Sequence, residues 1–196
     1  MNDSQKQFLD RASAEAVKAS HPFSQMAACE AALESSWGNS ELARDANNLF
    51  GMKQHAHAVY GTMNLPTREF LDSAWHAVTA NWVKYPDWRA CFCDRLATLQ
   101  RLSNALPHYK AALNAQDPRS YVIQVSESWS TDPGWECTCC EMFQSEAAMQ
   151  QHAQNNRGSP EHTAMRIEGL GRALKILAFY EDYAGTPATD PPEKTS

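Results

Sequence analysis

The chain has 196 residues, 43% hydrophobic and 20% charged, which is enough apolar material for one domain with a core and too much for a disordered acidic chain. Lys and Arg number 17 against 23 Asp and Glu, a net charge of −6, so neither nucleic acid nor an anionic membrane surface is an expected partner. No apolar run approaches the roughly 18 residues of a membrane span. The opening MNDSQKQFLDRAS lacks the basic-then-apolar layout of a secretory leader, which predicts synthesis in a reducing compartment.

In chain order, Ser4-Gln5-Lys6-Gln7 reads as a capping box, after which Phe8, Leu9, Ala12, Ala16 and Val17 share a helical stripe that ends at Ser20-His21-Pro22. A second helix is expected from near Pro22 through Met26, Cys29, Ala32 and Leu33 to Gly38, with Glu34 in its last turn. A short helical piece at 40–46 precedes the turn chemistry of Asn47-Asn48-Leu49-Phe50-Gly51, and residues 51–72 are the one expected strand region, as short β pieces or loop. Helical periodicity is read at Trp75, Val78 and Trp82, and again from Asp87 as an N-cap through Trp88, Phe92, Leu96, Leu99 and Leu102. Asp117-Pro118 opens another helix with Tyr121, Val122 and Val125 inward. The last helix is expected from about Thr163 to Tyr183 on a stripe of Ile167, Leu170, Leu174 and Leu177, and 186–196 reads as a flexible tail. The fold class is mainly α.

Ala31-Ala32-Leu33-Glu34-Ser35-Ser36-Trp37-Gly38 sets a carboxylate at the C-terminal end of a small-residue helix, beside a large aromatic. The negative end of the helix dipole and a dry neighbour both disfavour an ionised acid, which makes Glu34 a candidate proton donor. A polar residue on a solvated helix end is the plain alternative.

AALESSWGNSELA, NNLFGMK, Thr67-Arg68-Glu69-Phe70, Val83-Lys84-Tyr85-Pro86 and Ser130-Thr131-Asp132-Pro133, in this order, resemble the glucosaminidase domain family, glycoside hydrolase family 73. The resemblance covers about residues 20–135 and resumes weakly in the last helix. It implies a lysozyme-like α+β fold, a helical body with a small β-lobe and Glu34 at the floor of the cleft. It also implies that Glu34 protonates the leaving glycosidic oxygen, while Glu69 across the cleft activates water or stabilises an oxocarbenium-like transition state. An exposed strand glutamate is the other reading of Glu69, and attack by the substrate's own N-acetyl oxygen would make it dispensable. Asn48, Phe50, Tyr85, Trp88 and Trp129 are candidates for sugar binding, because aromatic faces cover apolar sugar faces and Asn offers donor and acceptor to an acetamido group. Phe50 and Trp88 fit the core equally well. Relatives usually carry Tyr where Trp129 stands, so that hydroxyl is absent here.

Residues 134–162 read as a Cys/His-rich insertion before the last helix. Cys137 and Cys140 in C-x2-C, with His152 and His162, can present two thiolates and two imidazoles to zinc. The segment resembles a C2H2-type finger, with Cys139 as an alternative to Cys140 and a longer His–His separation than usual; disulfides or free thiols are the other readings. Its SEAAMQQHAQ stretch carries no Lys or Arg, which argues against nucleic-acid reading. Cys29, Cys91 and Cys93 are expected to be buried, and His55 and His57 solvated.

The expectation is therefore one lysozyme-like glucosaminidase domain over 1–185, interrupted at 134–162, with a structural zinc and no catalytic cofactor. It would cleave β-1,4 bonds of the N-acetylglucosamine/N-acetylmuramic acid glycan of peptidoglycan. A muramidase or lytic transglycosylase on the same body, and a non-catalytic zinc-dependent binding module, are the alternatives. Candidate partners beyond peptidoglycan are an immunity protein or a secretion-system component, with action on the cell wall after delivery by a secretion system or lysis.

Overall fold

The computed structural model describes residues 1–71, 74–127 and 160–185, with side chains described throughout except at 68–71, 74–76 and 160–168. The described elements are α1 (Asp3–Lys18), α2 (Ser24–Glu34), α3 (Glu41–Ala46), β1 (Gly61–Leu71), β2 (Ala74–Lys84), α4 (Trp88–Leu102), α5 (Pro107–Leu113), α6 (Pro118–Ser126) and α7 (Pro160–Ala184). Among the described residues the architecture is mostly helical, as the sequence predicts, with one two-stranded sheet.

At the centre lies α2, where Met26, Ala27, Ala28, Cys29, Ala31 and Ala32 are all buried. A helix buried on nearly every side is an interior helix, and its alanines let α1 pack on one flank and α7 on another. Around it α4, α5 and α6 close the core with Cys91, Phe92, Leu99, Tyr109, Tyr121, Val122 and Val125.

Local signals set most boundaries. Asp87 Oδ1 accepts from the Ala90 N–H at 2.8 Å to start α4, and Asp117 Oδ1 accepts from the Ser120 N–H at 2.8 Å to start α6. The capping box of α1 sits two residues earlier than expected: Asn2 Oδ1 accepts from the Gln5 N–H, and Gln5 Oε1 accepts from the Asn2 N–H. Asn caps as well as Ser, and the earlier register gains half a turn of helix. Val17 falls off the buried stripe and is exposed.

Residues 74–84 correct the helical reading. They form β2, paired antiparallel with β1 from Gly61↔Lys84 to Leu71↔Ala74. Val78 and Trp82 are four apart, a spacing that shares a face in a strand as well as in a helix. Exposed Ala77, Thr79 and Asn81 alternate with the more buried Val78, Ala80 and Trp82, which is the period of a strand. The short α5, which carries Pro107 in its first turn and no side-chain cap, was not expected from the sequence.

A second correction concerns α7. Leu170 and Leu174 are exposed, and the face turned inward carries Gly169, Arg172, Ala173, Ile176 and Leu177. Gly169 is required at its position: a Cβ there would lie 2.3 Å from the Ser126 carbonyl oxygen at the end of α6. That close approach sets the rotation of α7 and delivers Arg172, three residues on, to the end of α2.

Candidate active site

The chain leaves α2 through an abrupt turn. Ser36, Trp37 and Gly38 take φ of 52°, 61° and 77°, a left-handed run that costs the two non-glycine residues about 1–2 kcal/mol each. The run is held by several contacts. Ser35 Oγ donates to the Ala31 carbonyl at 2.6 Å and accepts from the Gly38 N–H at 2.8 Å, and the Trp37 N–H returns to the Ala32 carbonyl at 2.8 Å. The Trp37 ring is wedged against Phe179 at 4.7 Å and Phe8 at 6.2 Å. Glu34 is thus the last helical residue, placed where the chain breaks away. Its side chain is 9% exposed, not facing bulk solvent.

One turn earlier on the same face stands Glu30, wholly buried. Its Oε1 accepts from Arg95 of α4 at 2.6 Å and from Arg172 of α7 at 2.8 Å. Arg172 also donates through Nε to Glu34 Oε1 at 2.7 Å and through its other terminal nitrogen to Ser126 Oγ at 2.7 Å. Two carboxyl groups and two guanidiniums therefore form one hydrogen-bonded cluster at the end of α2. Burial alone would push the Glu30 carboxyl up, but the charges and hydrogen bonds of Arg95 and Arg172 bring it down to about 2. Glu30, Arg95, Arg172 and Ser126 were missed in the sequence. The readable signals were a Glu four residues before Glu34 in an otherwise apolar helix, and an Arg between Phe92 and Leu96 on the apolar stripe of α4.

The predicted sugar contacts fare differently. Asn48 is buried, and its Nδ2 donates to the Met52 and Val83 carbonyls at 2.8 and 2.9 Å while Oδ1 accepts from the Met52 N–H at 2.9 Å. Its amide is occupied in tying the 48–52 loop to β2, so the expected acetamido contact does not fit this geometry. Phe50 is buried edge-on against Phe92 at 5.3 Å, and Trp88 is buried between Phe8 and the Arg11 guanidinium, 3.8 Å from the latter. Both are core residues in this structure. Tyr85 is equally buried, with its hydroxyl donating to Asp94 Oδ2 at 2.6 Å; burial and that carboxylate push its pKa up. Trp129 lies outside the described residues. Glu69 lies near the far end of β1, paired with His76, and its side chain is not among those described.

Cys137, Cys140 and His152 lie outside the described residues, as does the side chain of His162, which falls within α7. Among the described residues no group of three or more His, Cys, Asp and Glu could hold a metal. Cys29 and Cys91 are buried as expected, each thiol pushed up to about 12 by burial, whereas Cys93 is exposed. His55 is not solvated: its Nε2 is 3.1 Å from Asp94 Oδ2 and its side chain is only 21% exposed.

A family model described as "Glucosaminidase: Mannosyl-glycoprotein endo-beta-N-acetylglucosaminidase" matches residues 10–148. The chain belongs to this glucosaminidase family. The match runs past residue 134 into the stretch read as an insertion. The exo-glucosaminidase LytG of Bacillus subtilis (strain 168) is 31% identical over 138 residues, which cover 68% of this chain and 48% of the relative. The chain thus spans about half the length of that curated relative. Among solved structures, the catalytic domain of the autolysin Auto from Listeria monocytogenes superimposes with a TM-score of 0.58 at 23% identity, over 84% of this chain and 89% of that one. The glycoside hydrolase domain of Salmonella typhimurium FlgJ gives a TM-score of 0.51 at 24% identity, over 84% and 97%. These two likenesses show that the chain shares the fold of those two domains.

Proposed function

We propose that this chain is a glycoside hydrolase that cuts β-1,4 bonds next to N-acetylglucosamine in the glycan of peptidoglycan, with Glu34 as general acid. The observation that carries the reading is the setting of Glu34: a shielded carboxyl at the broken end of the central helix, in the motif that the family places there, with one oxygen held by Arg172. The name of the curated relative, an exo-glucosaminidase, supports the choice of bond. Glu34 would protonate the bridging oxygen while water attacks the anomeric carbon, and Glu69 of the β-lobe is the candidate to activate that water. Trp129 remains a candidate sugar platform. A cell-wall substrate places the site of action outside the membrane; no helix among the described residues is long and apolar enough to cross one. Delivery by a secretion system or lysis, with an immunity protein as partner, belongs to the same proposal.

A structural zinc on Cys137, Cys140, His152 and His162 is a further part of the proposal, supported by residue type and spacing. Four protein ligands would leave zinc no open position, so its work would be to fold the 134–162 segment, which is too short to bury a core unaided.

Digestion of purified sacculi tests the reading. The wild type should release muropeptides with N-acetylglucosamine at the reducing end by mass spectrometry, and Glu34→Gln should release none. Wild-type release by that variant, or reducing ends of N-acetylmuramic acid, would overturn it.

A further inference from the structure

Arg172 meets the end of α2 with all three nitrogens committed to three different acceptors. Nε donates to Glu34 Oε1 at 2.7 Å, and the two terminal nitrogens donate to Ser126 Oγ at 2.7 Å and Glu30 Oε1 at 2.8 Å. A guanidinium is planar and rigid, so it cannot turn to suit one acceptor without breaking with the others. The side chain is 6% exposed, which leaves little water to replace a lost partner. Each acceptor is itself fixed: Glu30 by a second hydrogen bond from Arg95, Ser126 by its place under Gly169 at the end of α6. The guanidinium therefore has one orientation, and Glu34 Oε1 is pinned against it. Glu34 Oε2 has no hydrogen-bond partner among the described residues and is the oxygen left for a ligand.

We infer that Arg172 is a positioning residue for the general acid: by holding Oε1 of Glu34 it selects Oε2 as the oxygen that carries the proton and passes it to the glycosidic oxygen. The inference rests on the reading of Glu34 given above. In the step, the Oε2–H bond breaks as an O–H bond forms on the bridging oxygen. The bond from the anomeric carbon to that oxygen breaks, its electron pair stays with the oxygen, and the leaving sugar departs as an alcohol. Water adds to the anomeric carbon and gives up a proton, so the products are two sugars and a Glu34 carboxylate, which is reprotonated from solvent. Negative charge grows on both oxygens of Glu34 as the proton leaves, and on Oε1 it meets an N–H already aimed at it. A donor in place before the reaction needs no reorganisation during it. Glu30, one turn away, offsets only one of the two guanidiniums it accepts from, so Arg95 and Arg172 leave one net positive charge beside Glu34, and that charge is met as the carboxylate forms.

The test compares kcat, KM and thermal midpoint on soluble glycan strands for wild type, Arg172→Lys, Ser126→Ala and Glu34→Gln. Lysine keeps the charge facing Glu30 and loses the fork. It should therefore lower kcat by ~10–100-fold with KM within about twofold, the mark of a misplaced reacting group. Ser126→Ala removes one prong and should lower kcat by a few-fold, again at constant KM. Wild-type kcat in Arg172→Lys, or a loss that raises KM as much as it lowers kcat, overturns the inference. Should Arg172→Lys fail to fold, Ser126→Ala decides alone, and an unchanged kcat there counts against the inference. The two levels separate cleanly: an active Glu34→Gln defeats the general-acid reading, while an inert Glu34→Gln beside a fully active Arg172→Lys defeats only the role of Arg172.

Discussion

Glu30 and Glu34, one helical turn apart on α2, accept from the same guanidinium, that of Arg172, at 2.8 and 2.7 Å. Their positions give them opposite fates on substitution. Glu30 is wholly buried and answers two arginines, so Glu30→Gln leaves excess positive charge inside the core and should cost about 3–5 kcal/mol. Glu34 ends α2 with its side chain 9% exposed, and Gln there still offers Arg172 an amide oxygen. Glu34→Gln should fold with near wild-type stability while losing ~100-fold or more in glycan release. Urea unfolding and a release assay on both variants check the contrast; an active, stable Glu30→Gln would contradict it.

Acid should destabilise the protein in two stages. His21 is buried, accepting from the Phe23 N–H through Nδ1 and lying 3.2 Å from the Tyr121 hydroxyl through Nε2. Burial, partly opposed by Glu30, lowers its pKa from 6.5 to about 4. The unfolded chain takes up this proton near 6.5 and the folded chain only near 4, so stability is full above pH 6.5 and falls between those values. His108, also lowered by burial, adds in the same direction. Glu30 acts later: its folded value of about 2 lies below the ordinary 4.5, so its contribution is present above 4.5 and is lost between 4.5 and 2. Thermal midpoints from pH 8 to 3 should show both declines, and His21→Gln should reduce the first to the part that His108 supplies while leaving the second.

What the sequence reveals depends on how local the cause is. The N-caps Asp87 and Asp117 are satisfied three residues away, and both helix starts are legible. Glu34 is legible because the whole ALESSWG turn is contiguous. The buried face of α7 is not, because Arg172 is drawn inward by carboxylates 138 and 142 residues distant in the chain, and the leucines that a simple apolar stripe favours turn outward. Asn48 and Phe50 mislead for a related reason. A motif shared by a family records what the loop needs to stand up as well as what the substrate touches, and here Asn48 holds backbone carbonyls. The β2 strand was hidden by the four-residue spacing of Val78 and Trp82, which only pairing with β1 resolves.

The proposed zinc is tested by metal content. Freshly purified, reduced protein should carry about one zinc per chain by native mass spectrometry and elemental analysis, and a strong chelator should remove it with a fall in thermal midpoint. Cys137→Ser with His152→Ala should abolish the metal. Metal-free protein of unchanged stability would reject the zinc while leaving the Glu34 reading intact.

Gly169 links the fold to the chemistry, and its replacement by alanine tests that link directly. An added Cβ would meet the Ser126 carbonyl oxygen at 2.3 Å and its carbon at 3.1 Å, distances that backbone atoms cannot absorb without moving. Alanine is the better helix former by up to about 1 kcal/mol, so an open position would gain stability from the change. Here the clash must win, and Gly169→Ala should instead lose about 1–3 kcal/mol, the range of overpacking in a tight contact. Moving α7 off α6 also carries Arg172 away from Ser126 and Glu34, so kcat should fall with the stability. Gly171 is the control, since a Cβ at that position meets nothing within 4 Å. Gly171→Ala should be neutral or slightly stabilising with unchanged kcat, and equal behaviour of the two variants would show that the approach of α7 to α6 does not govern the placement of Arg172.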